Sequence, residues 1–249
     1  MSDAMHARSV TNARWALLAA LAAMPARSAE PDPAAPPDLR PEILFSEHLY
    51  DGALASPVAL TWSPRVDEFH VLDSASRLVG IFDARGYPVF AFVGAAPQAE
   101  PRDLAVDAAG RAYVLEGAAR IRTFSYRGEP LGELELPELH AAGKSARIAA
   151  IALDVDGNLV VVDEALQEVL VYDLATRRIR ARFGGRGEGS GRFESIRAVA
   201  SDAAHYYVLD ALGVAIQVFD RKGRFVRGWG EHDIGPEAFS LPAAIAAHP

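Results

Sequence analysis

The chain has 249 residues, half of them hydrophobic and 23% charged, with 25 Lys+Arg against 33 Asp+Glu and a formal charge of −8. This composition excludes a disordered chain, and a diffuse acidic surface disfavours the phosphate backbone of a nucleic acid as partner. The absence of cysteine excludes disulfides, thiolate catalysis, Cys-ligated zinc and iron–sulfur clusters together.

At the N-terminus, His6, Arg8 and Arg14 precede an unbroken apolar run from Trp15 to Met24, followed by Pro25-Ala26-Arg27-Ser28-Ala29. A basic start, a short apolar run and a small-residue cleavage site read as a secretory signal peptide over residues 1–29. Ten apolar residues make only about 15 Å of helix, half of the roughly 30 Å of a bilayer core. No permanent membrane anchor is therefore expected, and the expected location is secreted or periplasmic. Residues 30–42 carry Pro31, Pro33, Pro36, Pro37 and Pro41 and read as an extended linker. The alternating stretch Ile43-Leu44-Phe45-Ser46-Glu47-His48-Leu49-Tyr50 suits an edge strand that fastens the fold expected over residues 43–249.

From Ser56 onward the sequence repeats. Four short stretches align, Val58-Ala59-Leu60-Thr61-Trp62, Leu104-Ala105-Val106-Asp107, Ile151-Ala152-Leu153-Asp154 and Val199-Ala200-Ser201-Asp202. Leu60, Leu104, Ile151 and Val199 lie 44, 47 and 48 residues apart, and Ile245 in Pro242-Ala243-Ala244-Ile245-Ala246 lies another 46 along. Each start is followed by a second strand ending in an acid, at Asp73, Glu116, Asp163 and Asp210. A third strand follows at Val79–Asp83, Ile121–Ser125, Leu170–Asp173 and Ile216–Asp220, and a more variable fourth at residues 88–93, 130–134, 179–183 and 225–229. Turn punctuation such as Ala109-Gly110, Asp156-Gly157-Asn158, Arg127-Gly128 and Lys222-Gly223 separates them.

Four strands every ~45 residues is the pattern of a propeller blade. No crossover helices support an α/β fold, and a β-sandwich gives no reason for the phase lock. The predicted fold is an all-β propeller of four-stranded blades at approximately residues 56–99, 100–147, 148–194 and 195–240, with the start of a fifth at 241–249. Leu136–Gly143 allows one helical turn between blades.

The run from Phe183 to Phe193, FGGRGEGSGRF, followed by Ile196-Arg197-Ala198-Val199-Ala200, resembles the inter-blade junction of NHL-repeat propellers. The blade body is similar too: Pro101-Arg102-Asp103-Leu104-Ala105-Val106-Asp107, Gly110, Tyr113-Val114-Leu115-Glu116, Arg120-Ile121 and Phe124. The resemblance covers about residues 56–249. Departures are Glu116 where the family has Asp, Ser125 where the other repeats have Asp, and Arg177-Arg178 in place of a turn glycine. The resemblance implies six blades in the complete fold, so the sequence reads as truncated. The alternatives are a five-blade ring completed by residues 43–50, and closure of an open arc by self-association.

The recurring acids Asp73, Glu116, Asp163 and Asp210 are expected to be structural, accepting hydrogen bonds from turn amides, with Arg77 and Arg120 placed to pair with theirs. Asp154-Val155-Asp156-Gly157-Asn158 looks like the opening of a calcium loop, but its twelfth position is Ala165, so a hairpin turn is expected. His48, His70, His140, His205, His232 and His248 show no local ligand spacing. His70 and His205 lie in equivalent stretches before the second-strand acid. Gly189-Ser190-Gly191 is no nucleophile elbow, and the glycines around it precede no helix that would make a phosphate loop.

The functional expectation is an exported, non-catalytic binding scaffold for a protein, peptide or glycan, presented by loops 94–101, 136–148, 184–197 and 230–242. Exposed, non-recurring residues there are Arg102, His140, Lys144, Arg186, Arg197, Trp229 and His232. No cofactor is expected on this reading. The alternative is a propeller enzyme of lyase or lactonase type with a divalent metal in the central channel; relatives that the resemblance brings in, such as the amidating lyase, assemble zinc from histidines on different blades.

Overall fold

The computed structural model describes residues 54–63, 65–136, 146–230 and 242–247. The expected leader, linker and fastening strand, together with His140, Lys144 and His232, lie outside them.

The fold is all-β, four antiparallel sheets of four strands each in a propeller arrangement. Blade 1 contains β1 (Pro57–Ser63), β2 (Glu68–Asp73), β3 (Leu78–Asp83) and β4 (Pro88–Val93). Blade 2 contains β5 (Pro101–Val106), β6 (Ala112–Glu116), β7 (Arg120–Phe124) and β8 (Pro130–Leu134). Blade 3 contains β9 (Ile148–Leu153), β10 (Leu159–Asp163), β11 (Glu168–Asp173) and β12 (Arg178–Gly184). Blade 4 contains β13 (Ile196–Ser201), β14 (His205–Asp210), β15 (Ile216–Asp220) and β16 (Phe225–Trp229). Each sheet is a simple meander in sequence order. Residues 242–247, expected to begin a fifth unit, form no strand; none pairs with them among the described residues.

The first strands β1, β5, β9 and β13 pack successively on one another, so they are the inner strands, and the fourth strands are the exposed outer ones. The second and third strands are the core, and in blades 2 and 3 both their faces are covered by neighbouring blades. Val160, Val162, Val169 and Val171 of blade 3 meet Tyr206, Val208 and Phe219 of blade 4, while the opposite face, with Leu159, Val161 and Leu170, meets Tyr113, Leu115 and Ile121 of blade 2. This explains the near-continuous apolar runs, since a strand buried on both faces loses polar alternation. Leu104, Ile151 and Val199 each pack on the preceding blade and are at most 7% exposed, whereas their counterpart Leu60 on blade 1 is 40% exposed.

Phe92 and Phe183 hold the same register position in β4 and β12, opposite Val79 and Val169. Each packs on the turn glycine of the next blade, Gly128 and Gly223 respectively, both at φ +77. Blade 2 has the smaller Leu134 at this position, opposite Ile121, and the following turn in blade 3 closes one residue later, at Arg177 with φ 56. The missing turn glycine of blade 3 thus coincides with the missing phenylalanine of blade 2.

His70 in β2 is 1% exposed, and neither ring nitrogen has a hydrogen-bond partner in normal geometry. Burial pushes its pKa down from 6.5 to about 4, against a weaker upward pull from the Glu68 backbone. The unfolded chain therefore binds a proton that the fold refuses, and stability present above pH 6.5 is lost as the pH falls toward 4.

A Cβ on Gly223 would lie 2.6 Å from Phe183 Cδ1. Gly223→Ala is expected to lower stability by about 1–3 kcal/mol in urea denaturation, and an unchanged midpoint refutes the packing role. His70→Leu is expected to remove about 2–3 kcal/mol of the acid destabilisation between pH 6.5 and 4. Parallel stability–pH curves for variant and native protein would refute that assignment.

Candidate functional site

The inner strands begin, and the second strands end, at the same edge of every blade. Asp73, Glu116, Asp163 and Asp210 are all buried there. Asp210 accepts N–H bonds from Glu194 and Ser195, which lead into β13, and from Leu212 and Gly213 in the β14–β15 turn. Asp73 does the same with Ser56 and Ser76, at 2.6 and 2.8 Å. Asp163 accepts from Ala165 and Leu166, leaving Oδ2 buried without a partner. Glu116, one methylene longer, reaches the amide of Ala96 and lies 3.6 Å from Arg122 Nη1. The pairing expected with Arg120 is not made: Arg120 lies beside Glu133. Arg122, two residues further along the same strand face, is the cation at Glu116.

A second feature recurs at this edge. Ladder pairing in each blade skips one inner-strand residue: Val58, Arg102, Ala149 and Arg197. These are β-bulges, in which the extra residue is unpaired and its side chain is re-aimed. Two of the sequence candidates, Arg102 and Arg197, therefore occupy one structural position on blades 2 and 4. Arg102 donates from Nη1 to the carbonyls of Gly117 and Ile148, both at 3.1 Å, and so links blade 2 to blade 3. Beside it Asp103 accepts the amide of Ile151 at 2.7 Å, and burial raises its pKa to about 6 despite that bond and the one from Leu104. Arg197 Nη1 lies 3.6 Å from Glu164 Oε1, and Arg147 Nε lies 3.1 Å from Glu164 Oε2. Arg102, Arg147, Glu164 and Arg197 thus form one polar rim over three blades.

The other candidates are placed apart from this rim. Arg186 is exposed in the glycine-rich connector, where it bridges to Phe193. Trp229 ends the outer strand β16, opposite Ile216 and with the Arg227 guanidinium 5.3 Å from its ring centre. It holds the register position of Phe92 and Phe183, which is a packing position. The connector is tied down by two buried glutamines that sequence inspection missed. Gln167 accepts from Ile196 and donates to Glu164, and Gln217 accepts from Gly191 and donates to Arg192.

The opposite edge carries hairpin turns capped by acids. Asp83, Asp107, Asp154 and Asp220 each accept the amides two and four residues on. The calcium-like stretch is such a turn, and Arg221 of blade 4 donates to both Asp154 and Asp156 at 2.8 Å. Tyr206 donates to Asp154 as well. Among the described residues no three His, Asp or Glu side chains are grouped to hold a metal ion. His70 and His205 sit two register positions apart, opposite Ile81 and Asp220 respectively.

No family model matches the chain, and no curated protein matches it in sequence. Among solved structures, virginiamycin B lyase from Staphylococcus aureus is similar over 81% of this chain and 62% of its own, with 17% identity and a TM-score of 0.56. Kuenenia stuttgartiensis hydrazine synthase matches 70% of this chain and 49% of its own, at 15% identity and TM-score 0.48. For the dihydro-heme d1 dehydrogenase NirN the figures are 68%, 36%, 16% and 0.48. The chain spans less than two thirds of the length of each. At such identity the likeness to the lyase shows the β-propeller fold alone.

Asp210→Ala would leave four N–H groups without their acceptor. It is expected to cost about 2–4 kcal/mol in chemical denaturation, and a loss under about 0.5 kcal/mol would show that the carboxylate does not hold the blade edge.

Proposed function

We propose that this chain is an exported propeller of the NHL type that works as a non-catalytic binding scaffold for a protein, peptide or glycan. The observation that supports this reading is the recurrent bulge. Each blade supplies the same backbone position at the rim, and the four are filled by Val58, Arg102, Ala149 and Arg197. A repeated frame carrying unlike side chains is how a rigid ring adapts to a ligand, because the frame supplies position and the side chains supply specificity. The buried acids and glutamines behind the rim keep it preorganised, which lowers the entropy cost of association.

The test applies the full chain to arrays of peptides and glycans. Binding is expected to fall at least ~5-fold in Ala149→Gln, at an unchanged melting temperature. Should that variant lose stability, Val58→Gln on the exposed bulge of blade 1 serves instead. Binding indifferent to both variants refutes the rim, and no binding at all refutes the scaffold. Stabilisation by a divalent ion, with turnover, would replace it with the metal-dependent lyase or lactonase reading.

A further inference from the structure

Each blade ends in an outer strand, and among the described residues no further strand pairs with β4, β8, β12 or β16. Such an edge presents a row of N–H and C=O groups that another strand can join, and charged side chains are the usual guard against it. The four edges are guarded unequally. β8 carries Glu133 with Glu135 just beyond it, β12 carries Arg178, Arg180 and Arg182, and β16 carries Arg227. From Gly86 to Ala99, a stretch that contains all of β4, there is no charged residue.

The outward-facing groups of β4 follow from its ladder. The Gly94 N–H donates to the Arg77 carbonyl where the pairing with β3 ends. Bonded and non-bonded positions alternate in an antiparallel pair, so Phe92 and Phe90 bond inward to β3, whereas Ala91 and Val93 turn N–H and C=O away from it. Val93 is also 61% exposed. Counted from Leu134, Phe183 and Trp229, which share the register position of Phe92, the equivalent outward residues are Glu133 and Glu135, Arg182 and Gly184, and Gly228 and Gly230.

These residues decide which edge can meet its own copy. When two identical strands pair antiparallel about the Phe92 position, residue 91 of one lies opposite residue 93 of the other. In blade 2 that arrangement sets Glu133 against Glu135, and like charges directly opposite destabilise a ladder. In blade 3 it gathers Arg180 and Arg182 of both copies along one short seam, and in blade 4 it sets glycine against glycine, which pairs weakly. In blade 1 it sets Ala91 against Val93, with neither charge nor glycine. A foreign strand can answer a charged edge with opposite charge, whereas a copy brings the same charge, so self-pairing requires a neutral edge. Elsewhere the formal charge of −8 makes copies repel.

We propose that two copies of this chain pair through β4, antiparallel about a two-fold axis at Phe92, so that their first blades share one eight-stranded sheet. Each Ala91 exchanges both backbone bonds with Val93 of the other copy. The same patch is used on both sides, so association closes at two. Four ladder bonds and a small apolar contact make a weak pair, with a dissociation constant on the order of 100 µM. The pairing is independent of the scaffold reading, because β4 is an outermost strand and the rim residues take no part in it.

The experiment is analytical ultracentrifugation of the full chain from about 5 to 500 µM. The mass is expected to rise from one chain toward two, and added salt to strengthen the pair by screening the repulsion. Ala91→Lys with Val93→Lys is expected to leave a monomer at every concentration, because like charges then face each other twice. Ala91→Lys with Val93→Glu is expected to restore the dimer, because opposite charges then face each other in the same register. Should the lysine at position 91 unfold the blade, amide hydrogen exchange of the native chain decides instead: the Ala91 and Val93 amides are expected to exchange more slowly at high concentration than at low. A native chain that stays monomeric, grows beyond two copies, or forms a dimer indifferent to both double variants overturns the inference. Ala91 and Val93 amides already protected at the lowest concentration would show the edge taken by a segment of the same chain, and overturn it as well.

Discussion

The buried carboxylate at the end of each second strand is the constraint on which the rest depends. A carboxylate taken from water costs several kcal/mol unless its lone pairs are filled, and here backbone N–H groups fill most of them. At Asp210 those donors come from both the following turn and the lead into the inner strand. One side chain thus ties three consecutive pieces of chain at one edge. The lead-in is also held by a backbone bond in every blade, from Ser74, Gly117, Glu164 and Ala211 to the carbonyls of Ser56, Glu100, Arg147 and Ser195, and the bulge follows directly on that bond. Arg102 and Arg197 are the bulge residues of blades 2 and 4, and Arg147 is the lead-in residue of blade 3.

The two edges use acids differently. At the rim they are buried, and three of them, Asp73, Glu116 and Asp210, reach amides of the segment that leads into the inner strand. At the opposite edge they cap their own hairpins through amides two and four residues on, and the most elaborate of them, Asp154, also joins blade 3 to Tyr206 and Arg221 of blade 4. Burial beside that charge raises the Tyr206 pKa, so its hydroxyl stays a donor at ordinary pH. Recurrence of aspartate in the sequence therefore has two separate causes, both rooted in unsatisfied turn amides.

The fold was legible because strands buried on both faces leave long apolar runs whose 44–48-residue spacing survives drift. The structural role of the recurrent acids was legible for the same reason. The rim was only half legible. Arg102 and Arg197 are loop candidates in the sequence and share one bulge position in the fold, whereas Arg147 precedes its strand and Glu164 follows a recurring acid, so spacing does not single them out. Gln167 closes the β10–β11 turn and Gln217 lies in β15, places where a polar residue reads as solvent-exposed, and only the fold shows them buried against connectors. Pairing of Glu116 was misassigned to Arg120 because sequence distance does not say which of two arginines on one strand face leans inward.

The fit between each outer-strand residue and the following turn also gives the blades an order. Phe92 needs the bare glycine of blade 2, Leu134 tolerates the longer turn of blade 3, and Phe183 needs the glycine of blade 4. Blades that look interchangeable as repeats are therefore addressed to their successors by shape. A duplication or shuffle that moves one blade without its neighbour's turn would put a side chain where only a hydrogen fits. Growth of such an array is consequently easier by whole adjacent pairs than by single units.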